Sequence, residues 1–164
     1  MTAVEVRLVR ADEHVPAGRL VVSAYVALAG AHMSGGYEHE LADVARRADE
    51  AEVLVAMEDA RLLGCVTFVP DRSNRWAEEV EDGEASIRML AVDPAVQRRG
   101  TGRALLDACI VRARAGGQQA VFLHSTPWMT VAQRLYLQAG FVRVPAATGF
   151  PVAAVPLIAF RLAL

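Results

Sequence analysis

Residues Gln97–Leu106 read QRRGTGRALL, which puts two arginines and two glycines directly in front of an apolar helical repeat. Glycine lets backbone N–H groups come close to a ligand, and a helix N-terminus carries about half a positive charge, so an anion is the natural guest. Several phosphate-binding devices share this form. A Walker A loop needs a lysine behind its last glycine, and here all 17 basic residues are arginine. A dinucleotide-binding turn wants G-x-G-x-x-G or A close behind the first strand of the fold, with an acidic residue about 20 positions on. Leu105 occupies the third place, and much of the chain comes first. A lone G-x-G is otherwise a tight turn with close helix packing, and paired arginines are often a solvated edge.

The wider run Ile87–Leu106, IRMLAVDPAVQRRGTGRALL, and a second run Met129–Phe141, MTVAQRLYLQAGF, carry more information together than either does alone. The first resembles motif A of the GNAT superfamily of acetyl-CoA-dependent N-acyltransferases, with Gln97, Gly100 and Gly102 in the fixed places of [QR]-x-x-G-x-[GA]. The second is similar to that family's pattern A-x-x-L-Y-x-x-x-G-F through Ala132, Leu135, Tyr136, Gly140 and Phe141. Both stand in the family's order. One departure is Met129, where members often have an asparagine seven residues before the motif tyrosine.

The resemblance implies acetyl-CoA as cosubstrate, no metal, and a pyrophosphate cradle made by Gln97, Arg98, Arg99, Gly100, Thr101, Gly102 and Arg103, chiefly through their backbone amides. It implies that the strand holding Leu90, Ala91 and Val92 splays from its neighbour, so that backbone groups there meet the pantetheine arm and the thioester carbonyl. Acyl transfer to an amine also asks for a neutral nucleophile and a proton for the departing thiolate. Tyr136 matches the tyrosine that many members use as that acid, although Met129, Ala132, Tyr136 and Ala139 also recur as the core face of a helix would. For the base, Ser86 stands where relatives often carry a glutamate, Glu84 lies on the same strand face two residues earlier, and His124 stands where relatives can carry an acid. A histidine beside an apolar strand is equally a structural residue, and the amine can lose its proton to solvent.

These groups need a scaffold. Val4–Val9 alternates apolar and charged residues as a half-buried strand does, and a helix capped by Asp12 follows, with Leu20, Ala24, Ala27 and Leu28 on one face. A short helix is expected over Glu38–Ala48, then strands Val53–Met57 and Leu62–Val69 joined as a hairpin at Asp59-Ala60. Pro70–Gly83 is a polar loop, long enough to be functional or mobile. The expected sequel is strand Ala85–Val92, helix Arg103–Ala115, strand Ala120–Ser125, a helix starting at Thr126-Pro127, and strands Phe141–Val144 and Leu157–Leu162. The pattern predicts an α/β protein, which under the resemblance is the GNAT fold: a mixed, mostly antiparallel central sheet of about seven strands flanked by about four helices, over residues 1–164 as one domain.

Composition sets the remaining bounds. The chain of 164 residues is 54% hydrophobic with a net charge of -2, which argues against nucleic acid or a membrane surface as a partner held by bulk charge. Cys65 and Cys109 lie in apolar stretches without metal-ligand spacing and are expected as buried thiols. No run of about 18 apolar residues and no leader pattern is present, so the cytoplasm is expected. The resemblance thus predicts an N-acetyltransferase working by direct transfer in a ternary complex, monomeric or homodimeric, and the lack of an extended basic or acidic docking surface beyond one loop points to a small-molecule amine as acceptor. A non-catalytic acyl-CoA sensor or interaction domain is the alternative. Acceptor choice would lie with the Gly30–Tyr37 turn, the Arg72–Gly83 loop and the Pro145–Pro156 loop. Glu78, Glu79, Glu81 and Asp82 are candidates to attract a cationic amine, and Tyr37, Trp76 and Phe150 to line an apolar pocket. Each of these is also explained by solvation or core packing.

Overall fold

The computed structural model describes residues 3–30, 33, 36–77, 79–97, 99–145 and 156–164. The chain runs β1 (Glu5–Leu8), α1 (His14–Ala29), α2 (Tyr37–Ala42), α3 (Val44–Glu50), β2 (Glu52–Glu58), β3 (Arg61–Val69), β4 (Glu84–Val92), α4 (Thr101–Ala115), β5 (Ala120–Ser125), α5 (Thr130–Gln138), β6 (Val142–Val144) and β7 (Ile158–Ala163). The seven strands form one sheet in the order β1-β2-β3-β4-β5-β7-β6. Among the described residues only the β4–β5 pair is parallel. Because side chains alternate along a strand, each face of the sheet can bury its own layer. Leu63, Ile87, Val121 and Leu123 pack on one face with Leu105, Leu106 and Cys109 of α4. Val53, Val55, Cys65 and Met89 pack on the other with Ala17, Val21 and Ala24 of α1. Both cysteines are free buried thiols, as the sequence suggests.

The β2–β3 hairpin closes through Asp59, whose φ of 54° is a left-handed conformation that a short polar side chain tolerates. Helix α4 forms because Leu105, Leu106, Cys109, Ile110 and Ala113 recur on one buried stripe, and Gly117, at φ 74°, lies just past its end. Helix α5 starts later than the sequence predicts. Thr126 to Met129 form a turn closed by the Met129 N–H on the Thr126 carbonyl (3.1 Å), which also accepts from Gln133 Nε2 (2.8 Å), so α5 begins only at Thr130.

The residue that anchors the start of α1 is Glu13 rather than Asp12. Its carboxylate accepts two bonds from the Arg7 guanidinium (2.9 and 2.6 Å) and one from the Arg10 N–H (2.8 Å), tying β1 to the turn before α1. The Arg7 partner holds the Glu13 carboxyl down at about 2, against an ordinary value of about 4.3. A carboxyl depressed in the native state stabilises above its unfolded value, and the effect is lost as pH falls through the folded value. Native protein should therefore lose stability between about pH 4.5 and 2 more steeply than Glu13→Gln. After allowance for solvent screening the difference should be about 1 kcal/mol. Parallel denaturation curves for the two proteins across that range would remove this pair from the stability account.

The single helix expected over Glu38–Ala48 is two helices, giving five α-helices among the described residues. Asp43 breaks the run and caps α3 by accepting from the Arg46 N–H (3.2 Å). Arg47, fully buried, donates to the carbonyls of Glu40, Leu41 (2.9 Å) and Asp43 (3.4 Å) and to Thr67 Oγ1 on β3 (3.2 Å). A single guanidinium thus satisfies the carbonyl end of α2 and fixes it to the sheet. Burial pulls its pKa down from the ordinary arginine value. Helix α2 also lies against α1 at Gly18, where a Cβ would overlap the Ala42 carbonyl oxygen. Alanine favours a helix interior over glycine by up to about 1 kcal/mol, yet overpacking costs about 1–3 kcal/mol. Gly18→Ala should accordingly lower the denaturation midpoint. A raised midpoint would contradict this contact.

Candidate active site

The site begins where the sheet stops pairing. Strands β4 and β5 are joined from Glu84↔Ala120 to Ile87↔Leu123 and no further. Beyond that point β4 keeps its partner β3, with a register shift between Cys65↔Ala91 and Thr67↔Arg88 that gives β4 an extra residue. Met89 carries the bulge at φ 54°, a conformation that costs an L-residue about 1–2 kcal/mol. The bulge re-aims the strand: Ala85 and Ile87 face the α4 layer before it, and after it Leu90 and Val92 do. Residues 88–92 therefore present to β5 a strand edge without a strand partner, whose N–H and C=O groups can pair with an extended polar ligand.

The first turn of α4 meets this opening. Gly100 precedes the helix at φ 81°, and a Cβ there would find nothing within 4 Å. Gly102 is needed for the opposite reason, since its Cβ would lie 3.3 Å from Leu135 of α5 and 3.6 Å from Val92 of β4. The helix start, the end of β4 and α5 thus converge. The initial N–H groups of a helix have no partner within it and point out of its end. Beside them Thr101, 2% exposed, has a hydroxyl with no hydrogen-bond partner. Ser125, the last residue of β5, shares the α4-facing side with Val121 and Leu123, and its buried hydroxyl is likewise unpartnered. Backbone amides, open space and orphaned hydroxyls fit an elongated anion with amide groups, which is the chemistry of coenzyme A.

The arginines of the turn are placed differently from its backbone. Arg99 pairs with Glu58 (3.2 Å) and Arg103 with Asp107 (2.8 Å), both half exposed, and Gln97 lies at the surface. Such pairs are worth no more than about 1 kcal/mol, so either guanidinium can turn to a phosphate at small cost. Arg98 lies outside the described residues, as do Glu78, Phe150 and most of the Pro145–Pro156 loop.

Tyr136 projects from α5 into the core layer that it shares with α4 and is 5% exposed. Its ring lies 5.9 Å from Phe141 and 5.6 Å from Phe160. Burial pushes its hydroxyl pKa up, which keeps the proton on the oxygen at neutral pH. Tyr25 of α1 is a residue the sequence reading missed. Burial pushes its hydroxyl well up, the Tyr37 and Tyr136 hydroxyls adding to this while Arg88 and Arg47 oppose it. Tyr25 is thus near the Arg88 and Arg47 guanidiniums on its own face of the sheet and near Tyr136 of the α4-side core, and the Val21–Tyr25 spacing on a helix was the available signal.

The two candidate bases occupy different places. Glu84 stands in the closed half of the β4–β5 pair, its carboxylate 2.7 Å from Arg161 Nε on β7. His124 follows the last β4–β5 pair, with Nε2 3.4 Å from Glu79 and its ring edge-on to Phe122 at 4.9 Å. Ser86 has a buried hydroxyl without a partner. Of the loop residues, Asp82 pairs with Arg72 (3.4 Å), and Trp76 is buried in the core rather than open to an apolar ligand.

A family model described as the Acetyltransferase (GNAT) family matches residues 22–141. The mycothiol acetyltransferase of Cellulomonas flavigena is 35% identical over 119 residues, 67% of this chain and 34% of that protein. The ribosomal protein bS18-alanine N-acetyltransferase of Haemophilus ducreyi is 39% identical over 61 residues, 37% of this chain and 42% of that one. The chain therefore spans less than half the length of either relative. Among solved structures, YncA of Salmonella typhimurium, determined with acetyl-CoA, superposes with a TM-score of 0.69 at 21% identity, covering 99% of this chain and 94% of its own.

Proposed function

Because the chain belongs to the acetyltransferase (GNAT) family, we propose that it moves an acetyl group from acetyl-CoA directly to the amine of a small molecule. The observation that carries this reading is the coincidence, at one place, of the unpaired β4 edge with the open, left-handed Gly100 turn in front of α4. A thioester supplies an activated acyl carbon and a thiolate leaving group. The residues of this chain do the rest. Backbone N–H groups of residues 99–103 hold the pyrophosphate, with Thr101 adding its hydroxyl, and Arg99 and Arg103 balance charge. The edge of Leu90, Ala91 and Val92 orders the pantetheine arm and offers an N–H to the thioester oxygen. The Tyr136 hydroxyl, kept protonated by burial, gives its proton to the departing sulfur.

The proton of the amine can leave to His124 or directly to solvent. His124 stands on the β5 side of the opening, beside Glu79. Glu84 is committed to Arg161 in the closed half and serves the opening only as a strut. Amine-dependent release of CoA thiol tests the proposal: a panel of small amines should include some that accelerate release at least tenfold over acetyl-CoA alone. Binding of acetyl-CoA with no acceleration by any amine, small or peptidic, would identify a sensor instead.

A further inference from the structure

The end of β5 carries buried hydroxyls that have no hydrogen-bond partner among the described residues. Ser125, the last residue of the strand, is 2% exposed and is one of them. Thr126, which follows, is the other. The turn into α5 cannot serve them. The Thr126 carbonyl already accepts from the Met129 N–H and from Gln133 Nε2, and Met129 brings only a thioether, a weak acceptor. A buried hydroxyl is costly without a partner, and the great majority have one. Two in succession, beside the gap in the sheet, point to a polar ligand that bonds them.

The register of the sheet places Ser125 within the opening. Strands β4 and β5 run parallel and pair last at Ile87↔Leu123, so Ser125, two residues further on, stands level with the Met89 bulge. By the alternation of the strand its side chain lies on the α4 side with Val121 and Leu123, in the layer that also holds Tyr136. The turn proposed to hold the pyrophosphate follows the far end of β4, beyond Val92. Met89 and Val92 are about 10 Å apart along the strand. A ligand arm that enters from the Gly100 turn and follows the β4 edge therefore reaches Ser125 near its inner end, well away from its phosphates. The neutral hydroxyl suits that end, since it can donate to an amide carbonyl or accept from an amide N–H.

Resting on the acetyl-transfer reading, we propose that Ser125 is a binding residue for the inner part of the pantetheine arm, its hydroxyl bonding the amide nearest the sulfur. The β4 edge then holds one side of the arm through backbone groups, and Ser125 holds the other through a side chain. Together they set how deep the thioester stands in the opening.

Calorimetry with two probes tests this. Acetyl-CoA carries the arm, whereas 3′-phospho-ADP, the nucleotide half of the same molecule, carries the phosphates without it. Ser125→Ala should weaken acetyl-CoA binding by about three- to tenfold, the value of one hydrogen bond, and leave 3′-phospho-ADP binding unchanged. The ligand-free variant should unfold at a midpoint no lower than wild type, because removal of an unpartnered hydroxyl strands no group. Unchanged acetyl-CoA affinity would overturn the role of Ser125 and leave acetyl transfer standing. Equal losses for both probes, or a lowered midpoint with no selective loss for acetyl-CoA, would overturn it too, as the marks of a residue that serves only the fold. A selective loss for acetyl-CoA in a protein whose CoA release no amine accelerates would do the reverse, keeping the Ser125 contact and removing the acetyl-transfer reading.

Discussion

Replacing Tyr136 with phenylalanine should slow turnover about 10²- to 10⁴-fold, the range typical of a general acid or base. It should leave acetyl-CoA affinity nearly unchanged. The ring contributes the contacts with Phe141 and Phe160, and phenylalanine keeps that ring, so the core and the cofactor site persist. The hydroxyl makes no hydrogen bond to any described residue, so its removal strands no partner. What is lost, under the proposed function, is the proton meant for the departing thiolate. A fall in kcat with kcat/KM falling equally marks an interaction made only in the transition state. If pre-steady-state measurements show chemistry limiting and Tyr136→Phe still turns over at the wild-type rate, the acid is water or no group at all.

Gly100→Asp should weaken acetyl-CoA binding by about 100-fold or more while leaving the fold intact. Aspartate tolerates the left-handed φ of 81° better than most residues, nothing lies within 4 Å of the new Cβ, and a carboxylate in front of a helix N-terminus is itself favourable. The same carboxylate then occupies the position proposed for the pyrophosphate. Like charges in contact cost several kcal/mol, and each 1.4 kcal/mol is about tenfold in affinity. Gly100→Asn, equal in shape but neutral, should lose much less. Equal losses in the two variants, read by calorimetry, would show that space and not charge governs the turn.

What could be read from the sequence was local. Strand β5 was legible to the residue, because Ala120–Ser125 is an apolar run bounded by Gly116-Gly117 and Thr126-Pro127. Helix α4 followed from its buried stripe, and the splay of β4 followed from the resemblance that its motif carries. What could not be read depends on partners far along the chain. The break at Asp43 is completed by Arg47, which reaches Thr67 on β3. The Met89 bulge is a matter of register against β3. Glu84 is a candidate base by position alone, and only the fold brings Arg161 to it. In sequence Arg88 is a charged residue within an apolar strand, and only the fold brings it to Trp76 and to Glu40 of α2. The turn and strand edge proposed to hold the cofactor are local features of one motif, while the side chains around them meet only in the tertiary structure.

Under the proposed function an acetyl group leaves CoA and arrives on an amine at the β4–β5 opening. Incubating the protein with isotopically labelled acetyl-CoA and the amine panel, then weighing every small product by mass spectrometry, tests it most directly. A labelled N-acetyl product should form in step with free CoA, with the protein itself unlabelled and the yield collapsing in Tyr136→Phe. Release of CoA accompanied by labelled acetate alone, with no labelled amine, would contradict it.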